Sequence, residues 1–236
     1  MQVSPPRSRI TPDHMGSMIS KNRKKIVVFD LDGTLLNSLE DLADSANHVL
    51  AAHGFPTHPV SDYRYFVGDG VMKLIERILP DNCRSEYLEV CRKEFVEYYD
   101  IHKEDKTVAY ASVADLLAEL NTMGMKIAVA SNKVHDAVGP LMEKYFPGVV
   151  FDSVFGQRPG VPVKPDPRIL LDILEKASCR PEEAVHVGDT STDITLAKNA
   201  GVESVGVTWG YRPQSELVDA GAGYIISEPS QLLDII

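Results

Sequence analysis

The sequence is poor in cysteine. Its three, Cys83, Cys91 and Cys179, are odd in number and form no C-x-x-C pair, which excludes a disulfide framework and fits a reducing compartment. Positive charge is also scarce: 24 Lys and Arg face 34 Asp and Glu, a net charge of -10. That balance argues against general affinity for nucleic acid or anionic membranes. An anionic substrate would need local positive charge from a metal ion, a lysine or helix N-termini. No run approaches the ~18 apolar residues of a membrane span. The N-terminal stretch lacks the apolar core of a signal peptide, and there is no internal repeat or low-complexity tract. What these absences leave is a cytoplasmic globular protein that interacts with neither membrane nor nucleic acid. Its 236 residues suffice for one large domain or a core with an inserted smaller one.

Residues 1–22, "MQVSPPRSRITPDHMGSMISKN", have prolines, serines and bases without apolar periodicity. They are expected to be a disordered or cloning-derived extension. The basic cluster Lys21, Arg23, Lys24 and Lys25 reads as a solvated lead-in to the first strand.

Beyond Val113 short apolar strands alternate with amphipathic helices. "VADLLAELNTMG" reads as a helix stopped by Gly124, "KIAVAS" as a strand and residues 134–145 as a helix. "VVFDSVFG" is strand-like, "DPRILLDILEKA" helical, "AVHVGD" a strand, "DITLAKNAG" a helix and "ESVGVTWG" a strand. This alternation predicts an α/β class: a Rossmann-like parallel sheet flanked by helices, with ligands at the carboxyl ends of its strands. Between the first strand and this series lie residues 37–112, where "SLEDLADSANHVLAAHG", "VMKLIERIL" and "RSEYLEVCRKEFVEYYDIH" read as helices. Ser38 and Asp41 have capping-box spacing. The expected organisation is an α/β core from 23–36 and 113–236, with an all-helical cap inserted at 37–112.

Chemistry-bearing residues gather at the predicted strand ends. In "IVVFDLDGTLLNS", four apolar residues lead into Asp30 and Asp32, which share one face of an extended chain while Leu31 points away. Like charges held close disfavour joint ionisation, so a buried structural position would avoid the pair, whereas a cation or phosphate site would use it. Gly33 permits a tight turn and close backbone approach, and Thr34 offers a hydroxyl and an amide. A D-G turn leaving a strand accounts for the same residues structurally. Ser131 and Asn132 follow "KIAVA"; they suit helix capping or phosphate binding at a helix N-terminus. Lys164 in "VKPDP" is either a solvated lysine or one aimed by flanking prolines. In "VGDTSTDI", Thr190 and Asp193 suit a capping box, which leaves Asp189 unexplained at the end of an apolar strand. A parallel sheet would bring all four stretches to one edge. Clustered carboxylate oxygens there suit a hard divalent cation such as Mg²⁺, which would offset the repulsion between Asp30 and Asp32.

With "DLDGT", "SN", "KPDP" and "GDTSTD" in this order, the chain resembles the haloacid dehalogenase superfamily of phosphohydrolases over nearly everything after residue 24. The resemblance implies Asp30 as the nucleophile of an aspartyl-phosphate mechanism and Asp32 as general acid and base. It implies Mg²⁺ held by the side chains of Asp30 and Asp189 and the backbone carbonyl of Asp32, with Asp193 in the outer shell or orienting Lys164. Gly33, Thr34, Ser131, Asn132 and Lys164 would bind the transferring phosphoryl group. Within the family, "FVGDGVMKLIERIL" and "GVTWGY" look most like phosphoglycolate phosphatases, which implies a small phosphorylated metabolite, 2-phosphoglycolate, as substrate. A monomer or homodimer is expected. A sugar-phosphate or pyrophosphate activity is the alternative within the family, and a phospho-accepting signalling receiver the alternative outside it. Many relatives read "DGTLxDS" where this chain has Asn37 before Ser38. Arg64, Lys73 and Arg77 lie near the "VGDG" loop and are candidates to meet a substrate carboxylate. His186, Trp209 and Tyr211 read as packing residues.

Overall fold

The computed structural model describes residues 24–236. The expected extension, residues 1–22, lies outside the described residues, as do Lys21 and Arg23 of the basic cluster. At the centre runs β1, Ile26–Phe29, whose β-branched and aromatic residues are all buried, as a strand covered on both faces requires. On one side it pairs in parallel with β4, Lys126–Val134; on the other it pairs with β6, Ala184–Gly188. With β5 (Ser153–Gln157), β7 (Glu203–Val207) and β8 (Tyr224–Ile226), these form one parallel sheet in the order β5-β4-β1-β6-β7-β8. Side chains alternate between its faces. Val27 and Phe29 enter one core with α5 (Val113–Thr122) and α6 (His135–Tyr145). Ile26 and Val28 enter another with α7 (Arg168–Ala177) and α8 (Ser191–Ala200). The α/β sheet core with helices on both faces is therefore the one the sequence predicts.

The "VVFDSVFG" segment is extended in the ladder only from Ser153. The edge strand β8 and the short α9, Gln214–Asp219, were not foreseen; three apolar residues in β8 are too few to carry a period.

Four helices, α1 (Leu39–Ala52), α2 (Val60–Phe66), α3 (Val71–Ile78) and α4 (Arg84–His102), intervene between β1 and α5. They bury their own cluster around Leu50, Tyr63, Ile75 and Phe95. At the root of this segment β2, Leu36–Asn37, pairs antiparallel with β3, Val108–Ala109. This two-residue ladder has no sequence signature. Asn37 occupies its exposed position. The expected Ser38–Asp41 capping box does not form. Both side chains have stronger commitments: Ser38 Oγ donates to Asp32, and Asp41 accepts from the amides of Lys106 and Thr107 and from the Thr107 hydroxyl. Asp41 thereby ties the first helix of the segment to the residues that leave its last. Among the described residues, no helix is long and apolar enough to cross a membrane.

Candidate active site

The chain leaves β1 toward β4 on one side of the sheet and later returns to β6 on the other. Beyond the carboxyl ends of β1 and β6 it therefore opens a crevice of the kind parallel sheets use for ligands. Asp30 follows β1, and Asp189 follows β6; Asp193 rises from the first turn of α8. One carboxylate oxygen from each lies within 4.8 Å of the others, and all three side chains are buried.

Lys164 is the counter-charge. Its ammonium, almost fully buried, stands 2.8 Å from Asp30 Oδ1 and 2.7 Å from Asp193 Oδ1, and donates to the Ala130 carbonyl. Asn132 steers it, accepting from the Lys164 amide at 2.8 Å and donating to its carbonyl. One lysine does not neutralise three carboxylates. Burial first, and then the charge of Asp193, push Asp30 up to about 7, against the lowering pull of Lys164. Burial, followed by the charges of Asp193 and Asp30, raises Asp189 well above the usual carboxylate range. Burial also acts against ionised Asp193, but Lys164 and His186 bring it below that range. For Lys164 the penalty of burial is more than offset by Asp193 and Asp30, and its pKa rises.

The residual negative charge and the acceptor-only donor set suit a hard divalent cation. The backbone is shaped around Asp189. A Cβ on Gly33 (φ +89°) would lie 2.3 Å from Asp189 Oδ2, and one on Gly210 would lie 2.3 Å from Asp189 Cβ and 2.4 Å from the Gly33 carbonyl. Asp189 also accepts from the Tyr211 amide at 2.8 Å and the Thr34 hydroxyl at 3.2 Å. Asp193 closes the capping box the sequence suggested, taking the Thr190 amide and hydroxyl on Oδ2. Its capping and its contact with Lys164 coexist because each uses a different oxygen.

Asp32 stands apart from the three. It accepts from Ser38 Oγ, whose other neighbour is the Tyr211 hydroxyl at 3.1 Å, and it is paired to Lys133 Nζ at 2.8 and 3.0 Å. Ser131 and Asn132 are buried on the last residues of β4 rather than capping α6, whose N-cap position is Val134.

A cavity of about 470 Å³ opens between these residues and the helical segment. Asp30, Asp32, Ser131 and Asn132 line its floor; Val71, Leu74, Phe95 and Tyr99 are among its helical walls. The "VGDG" loop meets the core here: the Gly68 carbonyl accepts from Asn132 Nδ2, and Asp69 accepts from the Thr192 hydroxyl.

Of the sequence candidates, Asp30, Gly33, Thr34, Asn132, Lys164, Asp189 and Asp193 form one connected cluster, with Asp32 and Ser131 beside it on the cavity floor. The three cap cations do not line the cavity. Arg77 is held by Asp69 and the Phe66 carbonyl, Lys73 pairs with Glu76 on the surface, and Arg64 is exposed. Five contributors lie outside the sequence candidates or are undervalued among them. Lys133 follows "SN" directly, beyond the end of the predicted strand, and that adjacency is the one signal the sequence offers. Ser38 has helix-cap spacing, which points away from Asp32. Tyr211 and Trp209, read as packing, hold Asp189 and the Thr34 carbonyl through N–H donors. His186 is buried and donates toward Asp193 at 3.3 Å; it serves the network as a structural partner.

Comparison with known proteins gives a consistent result. The sequence profile of haloacid dehalogenase-like hydrolases matches residues 27–207. The chain is 32% identical over 218 residues to the phosphoglycolate phosphatase of Aquifex aeolicus, covering 90% of this chain and 96% of the relative. It is 33% identical over 218 residues to the phosphoglycolate phosphatase of Vibrio cholerae, with the same coverage. The crystal structure of a predicted phosphoglycolate phosphatase from Haemophilus somnus superposes with a TM-score of 0.83 at 28% identity, over 90% of this chain and 97% of that one.

Proposed function

Because this chain belongs to the haloacid dehalogenase-like hydrolases, we propose that it is a Mg²⁺-dependent phosphatase of small phosphate monoesters acting through an aspartyl-phosphate on Asp30. The observation that carries the reading is the buried Asp30–Lys164–Asp193 chain with Asp189 beside it, at the floor of a substrate-sized cavity. Asp30 and Asp189 side chains and the Asp32 carbonyl would hold the cation, whose chemistry is to neutralise charge on the phosphoryl oxygens.

The steps follow from the residues. Asp30 is the nucleophile: a carboxylate oxygen attacks phosphorus, and the bond from phosphorus to the alcohol oxygen breaks. Lys164, 2.8 Å away, favours the ionised form of Asp30 against the burial that opposes it. Asp32 delivers a proton to the departing oxygen. It then removes one from the water that attacks phosphorus and releases inorganic phosphate, which regenerates Asp30. Lys164, Asn132, Ser131 and the backbone amides after Asp30 stabilise charge on the transferring group. The four-helix segment acts as a cap that keeps bulk water from the intermediate, hinged where β2 pairs β3.

Among monoesters, 2-phosphoglycolate is the proposed substrate, supported by the names of the relatives. Phosphate release from a panel of monoesters with and without Mg²⁺ tests this function.

A further inference from the structure

The cavity presents a charge problem. Beyond the floor its walls are apolar or acidic, with Glu97, Asp100 and Asp136 among the lining residues. A substrate that carries a carboxylate besides its phosphate must find a cation there. Lys164 is committed to Asp30 and Asp193 beneath the phosphoryl position. Arg64, Lys73 and Arg77 are not in the lining. Among the described residues, Lys133 is the single Lys or Arg in the lining. Its ammonium sits between the Asp32 carboxylate, at 2.8 Å, and the face of the Tyr99 ring, 4.7 Å from the centroid. Both of those partners line the cavity, and the lysine side chain is only 4% exposed.

We infer that Lys133 is the specificity-determining residue that receives the substrate's carboxylate. This assignment rests on the phosphatase reading above and names the substrate class of the same site: short phosphate monoesters with an anionic group near the ester. The position of Lys133 supports it. Asp30 and Asp32 are separated by one residue, so a lysine on Asp32 lies a short distance from phosphorus bound at Asp30. Ammonium geometry permits three donors; Asp32 takes one or two, and the ring face of Tyr99 satisfies a cation without consuming an N–H. A carboxylate entering the cavity can therefore be accepted by Lys133 while Asp32 remains beside it. The remainder of the lining has uncharged donors, such as the Tyr99 hydroxyl, but no second cation among the described residues, so the Lys133 ammonium is the charged position for that carboxylate and orients the ester relative to Asp30.

The test uses two esters of similar size, 2-phosphoglycolate and ethyl phosphate, which differ in the carboxylate. With saturating Mg²⁺, kcat/KM is measured on each for the wild-type chain, Lys133→Gln and Lys133→Arg, with circular dichroism and thermal unfolding to establish folding. The wild type should favour 2-phosphoglycolate. Lys133→Gln should lower that preference by about 10- to 100-fold, the range for loss of a charge-assisted hydrogen bond in a shielded site, chiefly through KM for the carboxylated ester. Lys133→Arg should restore part of the preference. If Lys133 only holds Asp32 in place, both esters fall together and the preference ratio is unchanged; that result overturns the inference while leaving the phosphatase reading intact. A wild type that hydrolyses ethyl phosphate as well as 2-phosphoglycolate overturns it too. A wild type inert toward both esters but active on another monoester overturns this inference and leaves the phosphatase reading intact; one inert toward every monoester overturns both. Should Lys133→Gln fail to fold, Lys133→Met is read in the same way: a lowered preference for 2-phosphoglycolate supports charge recognition, and a wild-type ratio contradicts it.

Discussion

Removing the divalent cation should make the protein's stability fall as pH rises, and the effect can be sized from the buried carboxylates. Without a cation, Asp30 is held at about 7 by burial and by Asp193, compared with 3.8 for the unconstrained side chain. A raised native pKa means that the folded state binds the proton more tightly than the unfolded one. The resulting contribution is fully present below about pH 4 and is lost as pH climbs through 7. At about 1.4 kcal/mol per pH unit, roughly 3 kcal/mol of it disappears between pH 5 and 7. Asp189, raised by burial and by the same neighbours, acts in the same direction. Asp193 is lowered; its contribution is present above the unfolded value and is lost only at more acidic pH, outside this window. Bound Mg²⁺ would replace the protons as the neutralising charge. The Tm difference between Mg²⁺ and EDTA samples should therefore be small at pH 5 and larger at pH 8. For a chain of this size the increase should be on the order of 6–12 °C, at about 2–4 °C per kcal/mol. Differential scanning fluorimetry across pH 5 to 8, with Asp189→Asn as the control, measures it. A Mg²⁺ response that is flat with pH, or that survives intact in Asp189→Asn, would refute the reasoning.

Asp30→Asn should retain the fold and lose at least ~10³-fold in kcat, because an amide cannot form the phosphoryl-enzyme; phosphate release from a verified folded variant checks this. Asp32→Asn should slow hydrolysis of alkyl phosphates about 10²-fold or more, and activated aryl phosphates much less, since only the former need a proton on leaving. Equal losses on both would assign Asp32 a structural role. Gly210→Ala would drive a Cβ into Asp189 and the Gly33 carbonyl, and should raise the Mg²⁺ concentration for half-maximal activity by about 10-fold, a loss of ~1.4 kcal/mol. Phe95→Ala removes a large side chain from the core of the helical segment and should lower unfolding free energy by about 3–5 kcal/mol in chemical denaturation.

The parallel core was legible because its strands are continuous apolar runs closed by glycine or charge, and its helices show clear 3.6-residue periods. The carboxylate cluster was legible for the same reason: Asp30 and Asp189 directly follow apolar strands, where burial makes a charge conspicuous. What escaped was pairing at a distance. Nothing around Ser38 announces that its hydroxyl turns to Asp32 and Tyr211 rather than to its own helix. Arg77 and Lys73 had the right location in the chain, but nearby carboxylates Asp69 and Glu76 capture them. Lys133 lies beyond the predicted strand "KIAVAS"; β4 in fact runs on to Val134 and buries it. Trp209 and Tyr211 contribute through N–H groups, whose partners depend on the approach of β7 to the loop after β1.

The central claim is turnover of a carboxylated phosphate monoester by this site, and steady-state phosphate release on the purified chain tests it most directly. With saturating Mg²⁺, kcat/KM for 2-phosphoglycolate should exceed that for hexose phosphates and pyrophosphate by at least ~10-fold, about 1.4 kcal/mol of transition-state discrimination, and EDTA should abolish it. A preference for a hexose phosphate or pyrophosphate would contradict the substrate assignment. Absence of Mg²⁺-dependent phosphate release from every monoester tried would contradict the function itself.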